Sequence, residues 1–360
     1  MDRTRIVFTG ILVLALIVIA TLFFTQNRSQ TVTGLVGSEK LPFFQDERVQ
    51  AVFAQNGLQV EVQKAGSREI ATRFDLAKSN LAEQDFAFPA GSPAAAKIQR
   101  DHGVGQVYRP FFTPMTIATW EPIAELLVAE GIATNRGGSY QVDLAALLTL
   151  IENDTRWNEL PSNTTFPANT SILITSTDVR KSNSAAMYLA LASYVVNDNN
   201  ILTSSAAAQP HLSALGNLFL RQGFQQNSSQ EPFNDYLVKG MGHSPLVMIY
   251  EAQFIAQAVQ QPGTISSEMV LLYPDPILFT EHVLVPLTDN GRLVGELLET
   301  DPTLQELANE YGLRNSNSAN FQRITASHNL AIPDNFVNVI SPPDYELLEN
   351  MIKTIEQSYQ

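Results

Sequence analysis

An uncharged apolar segment near the amino terminus, residues 6–24, constrains this 360-residue chain more than any other feature of its sequence. At about 1.5 Å of rise per residue, a helix of this length just spans the roughly 30 Å hydrocarbon core of a membrane. Arg3 and Arg5 precede the segment and only Arg28 follows it closely. Because basic residues accumulate on the cytoplasmic side, residues 1–30 are predicted to form a cytoplasmic cap and a transmembrane signal anchor, with the rest of the chain extracytoplasmic.

A cleaved signal peptide is the alternative, since it also combines a basic start with an apolar centre. The apolar segment is long for a signal peptide, and the bulky Leu22, Phe23 and Phe24 interrupt the small residues of a cleavage site. The uncleaved anchor is therefore favoured. Both alternatives place the same domain outside the membrane.

Composition excludes several kinds of site. The chain has no cysteine, which rules out disulfides, thiol catalysis, thiolate metal sites and a lipoprotein anchor. Its formal net charge of −14 argues against nucleic acid as a partner, although a local pocket can still bind a small anion. No cofactor or metal is predicted, because the five histidines are widely spaced and no phosphate-binding or dinucleotide motif is present.

Short apolar runs alternate with helical patterns, which is typical of βαβ units around parallel sheets. Three of these runs end in a Gly-Ser pair where a helix is predicted to begin, at Ser38, Ser67 and Ser92. In open α/β sheets, ligands bind at the carboxyl edge of the strands. The sequence therefore predicts that these serines lie at one ligand-binding edge.

The remainder of the chain contains further predicted elements. Residues 107–119 form a long extended run that leaves the first group of strands, and residues 171–175 are predicted to form a buried strand. A Ser- and Thr-rich segment, residues 177–184, precedes a convincing helix. Residues 269–273 are predicted to form the strand that returns to the first lobe, and after a late apolar run, residues 282–286, the chain is predicted to become helical again.

This order of elements resembles the type II periplasmic, or extracellular, solute-binding proteins, and its layout is closest to the bacterial molybdate and sulfate binders. The resemblance rests on segments distributed over the whole chain after the anchor. They are GLVGSEK (34–40), AGSREIA (65–71), DFAFPAGSPAA (85–95), SILITSTDVRKSNSAA (171–186), LVMIYEAQFI (246–255), LLYPDPILFTEHVLVPL (271–287) and LQELANEYGLR (304–314).

The resemblance implies an α/β fold with two lobes and two crossing strands as a hinge, preceded here by one transmembrane helix. Lobe I would comprise residues 31–114, lobe II residues 115–269, and residues 270–360 would return to lobe I and add closing C-terminal helices. It also implies a monomeric bacterial protein without enzymatic activity; members of this family are usually cleaved or lipid-anchored, so the helical anchor predicted here is a departure from the family. Such a protein clamps a small ligand, with an anion among the candidates, for a membrane permease or a sensor partner.

Eight residues are the predicted ligand contacts, because each follows a strand or precedes a helix at the expected cleft. They are Ser38, Ser67, Arg68 and Ser92 from lobe I, and Thr177, Ser182, Ser184 and Tyr250 from lobe II. Ordinary helix capping, turn formation or a surface ion pair would explain the same residue types at these positions.

Two other functions fit parts of the sequence. A scaffold that keeps the clamp fold but binds no ligand is the principal alternative, and it predicts a filled or apolar cleft. A serine hydrolase centred on Ser244 is a remote one, since Gly242–Leu246 (GHSPL) resembles a nucleophile elbow but has leucine where the second glycine belongs.

Overall fold

The computed structural model describes residues 29–73, 84–223 and 225–359. These residues form two α/β lobes that share one continuous hydrogen-bonded set of strands. The predicted membrane segment lies outside the described residues. Within them, no helix combines the length and the apolar composition needed to cross a membrane.

The chain first builds lobe I from parallel strands with helices between them. Strand β1 lies in the middle and pairs in parallel with β2 on one side and β3 on the other. The elements are β1 (Gln30–Val36), α1 (Leu41–Gln45), α2 (Glu47–Gln55), β2 (Leu58–Lys64), α3 (Ser67–Arg73), β3 (Phe86–Phe88) and α4 (Ser92–Asp101).

Lobe II follows, and its longest helix is α7. The elements are β4 (Tyr108–Trp120), α5 (Glu121–Ala129), β5 (Ala133–Arg136), β6 (Ser139–Asp143), α6 (Leu144–Glu152), α7 (Asn183–Val196), α8 (Ser205–Ala208), α9 (Leu212–Leu220), α10 (Gln230–Lys239), β7 (Leu246–Tyr250), α11 (Glu251–Gln260) and β8 (Met269–Asp275). The strand predicted at residues 171–175 is wrong, because this segment makes only isolated bridges, from Ser171 to Arg156 and from Thr175 to Val247.

The chain then returns to lobe I, and its last helix packs again against lobe II. The elements are β9 (Ile277–Pro286), α12 (Asp289–Thr300), α13 (Pro302–Glu310), α14 (Ser318–Ser327), β10 (Val339–Ile340) and α15 (Tyr345–Glu356). The last helix, α15, contributes Leu348, Met351 and Ile352 to the core of lobe II, while its first residue, Tyr345, packs into a core of lobe I. The C-terminal helix therefore touches both lobes.

Strands β4 and β9 connect the lobes. The first half of β4 pairs antiparallel with β9 as far as Pro114, which lies opposite Phe279. From Met115 onward β4 pairs instead with β7, and from Ile117 also with β8. Because β4 changes partners at this point without leaving the sheet, the crossing between the lobes is made of continuous β-structure.

Strands β1 and β3 contribute residues to two cores of lobe I, whereas β2 exposes alternate residues to solvent. Val32 and Val36 of β1 point into one core and the intervening Leu35 points into the other. Phe86 and Phe88 of β3 share the first core, and Ala87 lies in the second. The period-2 alternation of a strand thus serves two cores at once.

Two helix glycines differ in the space around them, and this difference predicts opposite effects of the same substitution. Gly295 in α12 faces Tyr108, and a Cβ there would lie 2.2 Å from Cδ2 of that ring. Gly216 in α9 has no atom closer than 3.8 Å, where Ile355 of α15 lies. Alanine normally stabilises a helix by about 0.5–1 kcal/mol relative to glycine, whereas overpacking a core costs about 1–3 kcal/mol.

We therefore expect Gly295→Ala to lower the free energy of unfolding and Gly216→Ala to raise it. Urea unfolding followed by circular dichroism measures both changes in the same experiment. A gain in stability from Gly295→Ala would contradict the close packing of α12 against β4.

Candidate interlobe binding site

A cleft of about 540 Å³ separates the carboxyl ends of β1 and β2 in lobe I from the amino terminus of α7 in lobe II. We call it the interlobe cleft. Lobe I lines it with Gly37, Ser38, Glu39, Lys64, Ala65, Gly66, Ser67, Arg68, Glu69 and Thr72. Lobe II lines it with residues 180–184 and 227–229 and with Tyr250, and α15 adds Tyr345 and Glu349.

Six of the eight predicted contacts line this cleft: Ser38, Ser67, Arg68, Ser182, Ser184 and Tyr250. The structure thus brings residues far apart in sequence into one space. Ser92 and Thr177 do not line it. Thr177 is buried behind Ser184, with 2.9 Å between their hydroxyl oxygens. Whether any of the eight contacts a ligand stays a prediction.

The hydroxyl of Ser67 has a structural role. Its Oγ accepts a hydrogen bond from the backbone N–H of Ala90 at 2.7 Å, and the side chain is buried. This bond ties the start of α3 to the segment after β3. Removing a buried partner of this kind costs about 1–3 kcal/mol, so Ser67 would be needed for stability with or without a ligand.

Arg68 spans the two lobes. Its guanidinium forms a two-point ion pair with Glu349 of α15, in which Nη2 lies 2.7 Å from Oε2, and Nη1 donates to the carbonyl of Val179 at 2.8 Å. Two-point pairing holds an arginine in a defined orientation. Arg68 therefore connects a strand end of lobe I to the lobe II side of the cleft.

The start of α7 presents hydroxyl and amide groups to the cleft. The Oγ atoms of Ser182 and Ser184 are 2.8 Å apart, and Asn183 Nδ2 donates to the hydroxyl of Tyr250 at 3.1 Å. The first backbone N–H groups of an α-helix lack partners within the helix and carry partial positive charge. The lobe II wall thus offers several neutral donors.

Arg180 on the same wall is already paired. Its Nε and Nη2 donate to the two carboxylate oxygens of Asp178 at 2.8 Å and 2.6 Å. Burial opposes ionisation of Asp178, but the hydrogen bonds from Arg180 outweigh it and lower the pKa of that carboxyl. Arg180 also lies over the ring of Tyr359, so its position is set by the protein alone.

A buried cluster of three ionisable groups lies under the lobe I edge. Glu39 pairs with Lys40, whose Nζ lies 2.8 Å from Nδ1 of His282 and 4.9 Å from the ring centre of Phe88. The side chains of Lys40 and His282 are fully buried, and that of Glu39 is 8% exposed. Burial opposes ionisation of Glu39, but the charge of Lys40 and further contacts lower the pKa of this carboxyl well below its usual range.

Gly37 makes room for the carboxylate of Glu39. A Cβ on Gly37 would lie 2.3 Å from Oε1 and 2.7 Å from Oε2 of Glu39, so a side chain at this position would require the carboxylate to move. The sequence pattern pointed to Ser38 after Gly37, but it did not lead to Glu39 as a residue of the cleft. Glu39 is a charged residue that directly follows the Gly-Ser pair at the end of a strand, and this position could have identified it.

Ser244 lies away from the interlobe cleft, in a turn. His243 Nδ1 is 2.8 Å from Ser244 Oγ, but no carboxylate in the described parts of the chain hydrogen-bonds to His243. The backbone N–H of Ser244 donates a hydrogen bond to the carbonyl of Gly240, and its carbonyl accepts one from Trp120 Nε1. A hydrolytic triad needs a third group that orients the histidine, and the described residues do not provide one. They also hold no group of three or more potential metal ligands.

No protein-family model matches the chain, and no curated protein matches its sequence. Solved structures do match its fold. AfuA of Actinobacillus pleuropneumoniae, a periplasmic binding protein with fructose-6-phosphate bound, has 12% identity and a TM-score of 0.55, and the alignment covers 92% of this chain and 98% of that one. A solute-binding protein of an ABC transporter from Thermotoga lettingae, bound to α-D-tagatose, has 11% identity and a TM-score of 0.55, with coverages of 91% and 94%.

The sulfate-binding protein SubI of Mycobacterium tuberculosis is similar as well, with 14% identity, a TM-score of 0.51 and coverages of 89% and 96%. The expected resemblance to type II periplasmic solute-binding proteins is confirmed at the level of the fold. At these identities the likeness shows the two-lobed architecture and does not identify a ligand.

The buried His282 predicts a pH dependence of stability. Burial, together with the charge of Lys40, lowers the pKa of His282 from its ordinary 6.5 to about 4. The unfolded chain therefore binds a proton near pH 6.5 that the folded chain does not take up until about pH 4. The free energy of unfolding should fall by a few kcal/mol as the pH falls through this window.

Urea unfolding at several pH values between 7 and 4 measures this slope. We expect His282→Gln to lower the stability at pH 7 and to make it less dependent on pH over the same window. An unchanged slope in His282→Gln would show that the buried histidine is not the source of the pH dependence.

Proposed function

We propose that the protein is an extracytoplasmic solute-binding protein that clamps a small ligand between its lobes and catalyses no reaction. The observation that carries this proposal is the convergence of polar groups from both lobes on one open cleft. Ser38, Lys64 and Glu39 face it from lobe I, while Asn183 and Tyr250 face it from lobe II. A scaffold without ligand would be expected to fill such a cleft or to line it with apolar groups.

The crossing strands support a clamp mechanism. Each lobe has its own core, and β4 and β9 are the strands that pass between them. Bending near Pro114 and Phe279 would move the lobes as rigid bodies. A ligand that contacts both walls only when they are close binds the closed form more tightly, and it thereby shifts the population toward closure.

We further propose that the ligand is handed to a membrane permease. The structurally similar proteins include a solute-binding protein of an ABC transporter, which supports transport as the process. The acidic net charge of −14 does not oppose a small ligand, because its recognition depends on the local groups of the cleft.

A blocked cleft tests the function even before a ligand is identified. A Cβ on Gly66 would meet no atom closer than 3.9 Å, so Gly66→Trp places a large side chain at the cleft edge without a backbone clash. Gly105 is not among the lining residues, and a Cβ on it would meet nothing within 4 Å. Gly105→Trp is therefore the matched control.

We expect oxyanions, carboxylates, amino acids and sugars, screened against the full-length chain in detergent, to include a compound that raises the melting temperature. A hundredfold excess over Kd stabilises a protein by about 2.7 kcal/mol, which corresponds to several degrees. Gly66→Trp should abolish the shift and Gly105→Trp should keep it. A shift that survives in Gly66→Trp would place the binding site elsewhere, and a flat response to the whole panel would favour the scaffold.

We also propose that residues 6–24 anchor the protein as a single helix, with the amino terminus in the cytoplasm. The uncharged sequence of this segment and the preceding Arg3 and Arg5 support the proposal. The chain should remain in carbonate-washed membranes, and a chain lacking residues 1–28 should not. Release of the full-length chain by carbonate would contradict the anchor.

A further inference from the structure

The floor of the interlobe cleft holds a carboxylate oxygen that the protein leaves unused. Glu39 lines the cleft, and the hydrogen bond that its carboxylate accepts, from Lys40, goes to Oε1. Oε2 accepts no hydrogen bond from any residue in the ranges 29–73, 84–223 and 225–359, and it is not sealed off from the cleft. The side chain as a whole is 92% buried, since 8% is exposed. A nearly buried acceptor therefore opens into the cleft.

This carboxylate is held ionised and in place. Lys40 is fully buried beside it, and Gly37 leaves just enough space for its two oxygens. An ionised carboxylate can only accept hydrogen bonds. A group that approaches Oε2 must therefore be a donor, and a bare oxyanion at this place would be repelled.

Tyr250 supplies a donor to the same cleft. Its hydroxyl oxygen accepts a hydrogen bond from Asn183 Nδ2 at 3.1 Å, which leaves its own proton to donate. Within the described chain no acceptor for that proton is found. Burial, reinforced by the charge of Glu39, raises the pKa of Tyr250, so the phenol keeps its proton at neutral pH.

The arginines of the cleft do not offset the preference for a donor. Arg68 forms a two-point pair with Glu349, and Arg180 forms one with Asp178. Their strongest hydrogen-bonding edges are thus committed to carboxylates of the protein. Lys64 and Lys181 also line the cleft, but both side chains are exposed to solvent, which weakens their attraction for a ligand.

A hydroxyl group complements both Glu39 and Tyr250, because it donates one hydrogen bond and accepts others. An ammonium group would satisfy Glu39 and leave the phenol proton without an acceptor. A bare oxyanion would satisfy Tyr250 and oppose Glu39. Leaving a buried polar group unpaired is unfavourable, so the combination disfavours a ligand whose polar groups are only ammonium or only oxyanion and favours one that carries hydroxyls. The cleft volume of about 540 Å³ lies in the usual range for small-molecule sites.

We infer that the ligand of the interlobe cleft is a polyhydroxylated compound, a sugar or polyol, whose hydroxyls pair with Glu39 and Tyr250. This inference rests on the proposed solute-binding function and specifies its ligand class. It also separates this cleft from the bare-oxyanion binders that the layout of the sequence most resembles.

The test measures the binding of named probes to the full-length chain in detergent, by calorimetry and by melting temperature. The hydroxylated probes are aldoses, ketoses, polyols and their phosphate esters, among them D-tagatose, D-glucitol and fructose 6-phosphate. L-Alanine supplies an ammonium and a carboxylate group without a hydroxyl, so it represents ligands that pair Glu39 and Tyr250 with two separate groups, and sodium sulfate supplies a bare oxyanion. We expect at least one hydroxylated probe to bind, and we expect sulfate and alanine not to bind.

Variants of Glu39 and Tyr250 then test whether these two residues contact the bound probe. Glu39→Gln removes the charge and Tyr250→Phe removes the donor, and each should raise the Kd of that probe at least tenfold. Glu61→Gln, on the exposed side of β2 and outside the cleft lining, and Tyr188→Phe, in the core of lobe II, are the matched controls and should change Kd less than twofold. Tyr250→Phe leaves Lys40 paired, so it decides the question if Glu39→Gln fails to fold.

The outcomes distinguish this inference from the function on which it rests. If sulfate or alanine binds, and Gly66→Trp abolishes that binding while Glu39→Gln and Tyr250→Phe do not, the solute-binding function stands and the hydroxylated ligand is wrong. If a sugar binds with the same Kd in both floor variants, the assignment to Glu39 and Tyr250 is wrong. If no probe of any class binds the native chain, both the function and the ligand class are contradicted.

Discussion

The antiparallel pairing of β4 with β9 is the constraint on which the rest of the structure depends. Thr113 lies opposite Thr280 and Pro114 opposite Phe279, at the place where β4 exchanges its lobe I partner for those of lobe II. Because the connection is sheet and not a loose linker, the lobes keep a defined relation. The carboxyl ends of β1 and β2 consequently face the start of α7, and the cleft exists because of that alignment.

The cleft shows how local electrostatics can differ from the net charge. The chain is acidic overall, yet the cleft lining mixes Lys64, Arg180 and Lys181 with Glu39 and hydroxyl groups. Most of the charged groups on its walls are neutralised by a partner within the protein. The groups left for a ligand, among them an acceptor on Glu39 and a donor on Tyr250, are determined by which of their neighbours find partners. Recognition in such a site depends on residual hydrogen-bonding capacity more than on charge.

Much of the fold could be predicted from local patterns. The run at residues 107–119 became β4, the late apolar run at 282–286 lies in β9, and the Ser- and Thr-rich segment 177–184 does lead into α7. The strand predicted at residues 269–273 forms β8, which pairs with β4 and β6. These elements have strong periodicity or clear start signals, and both act over a few residues. Residues 171–175 have the same apolar character as a strand, but they find no continuous partner. A strand depends on a neighbour that the local sequence does not specify.

The sequence by itself determined the α/β class, the strand-end serines and the apolar amino-terminal segment, because each depends on residues close together along the chain. Only the tertiary structure decided that Ser67 bonds to Ala90, that Arg68 pairs with Glu349, and that Lys40 meets His282. The last two contacts join residues more than 200 positions apart. Partners at such distances are chosen by the way the sheets and helices pack, and that packing determines which polar groups are left for a ligand.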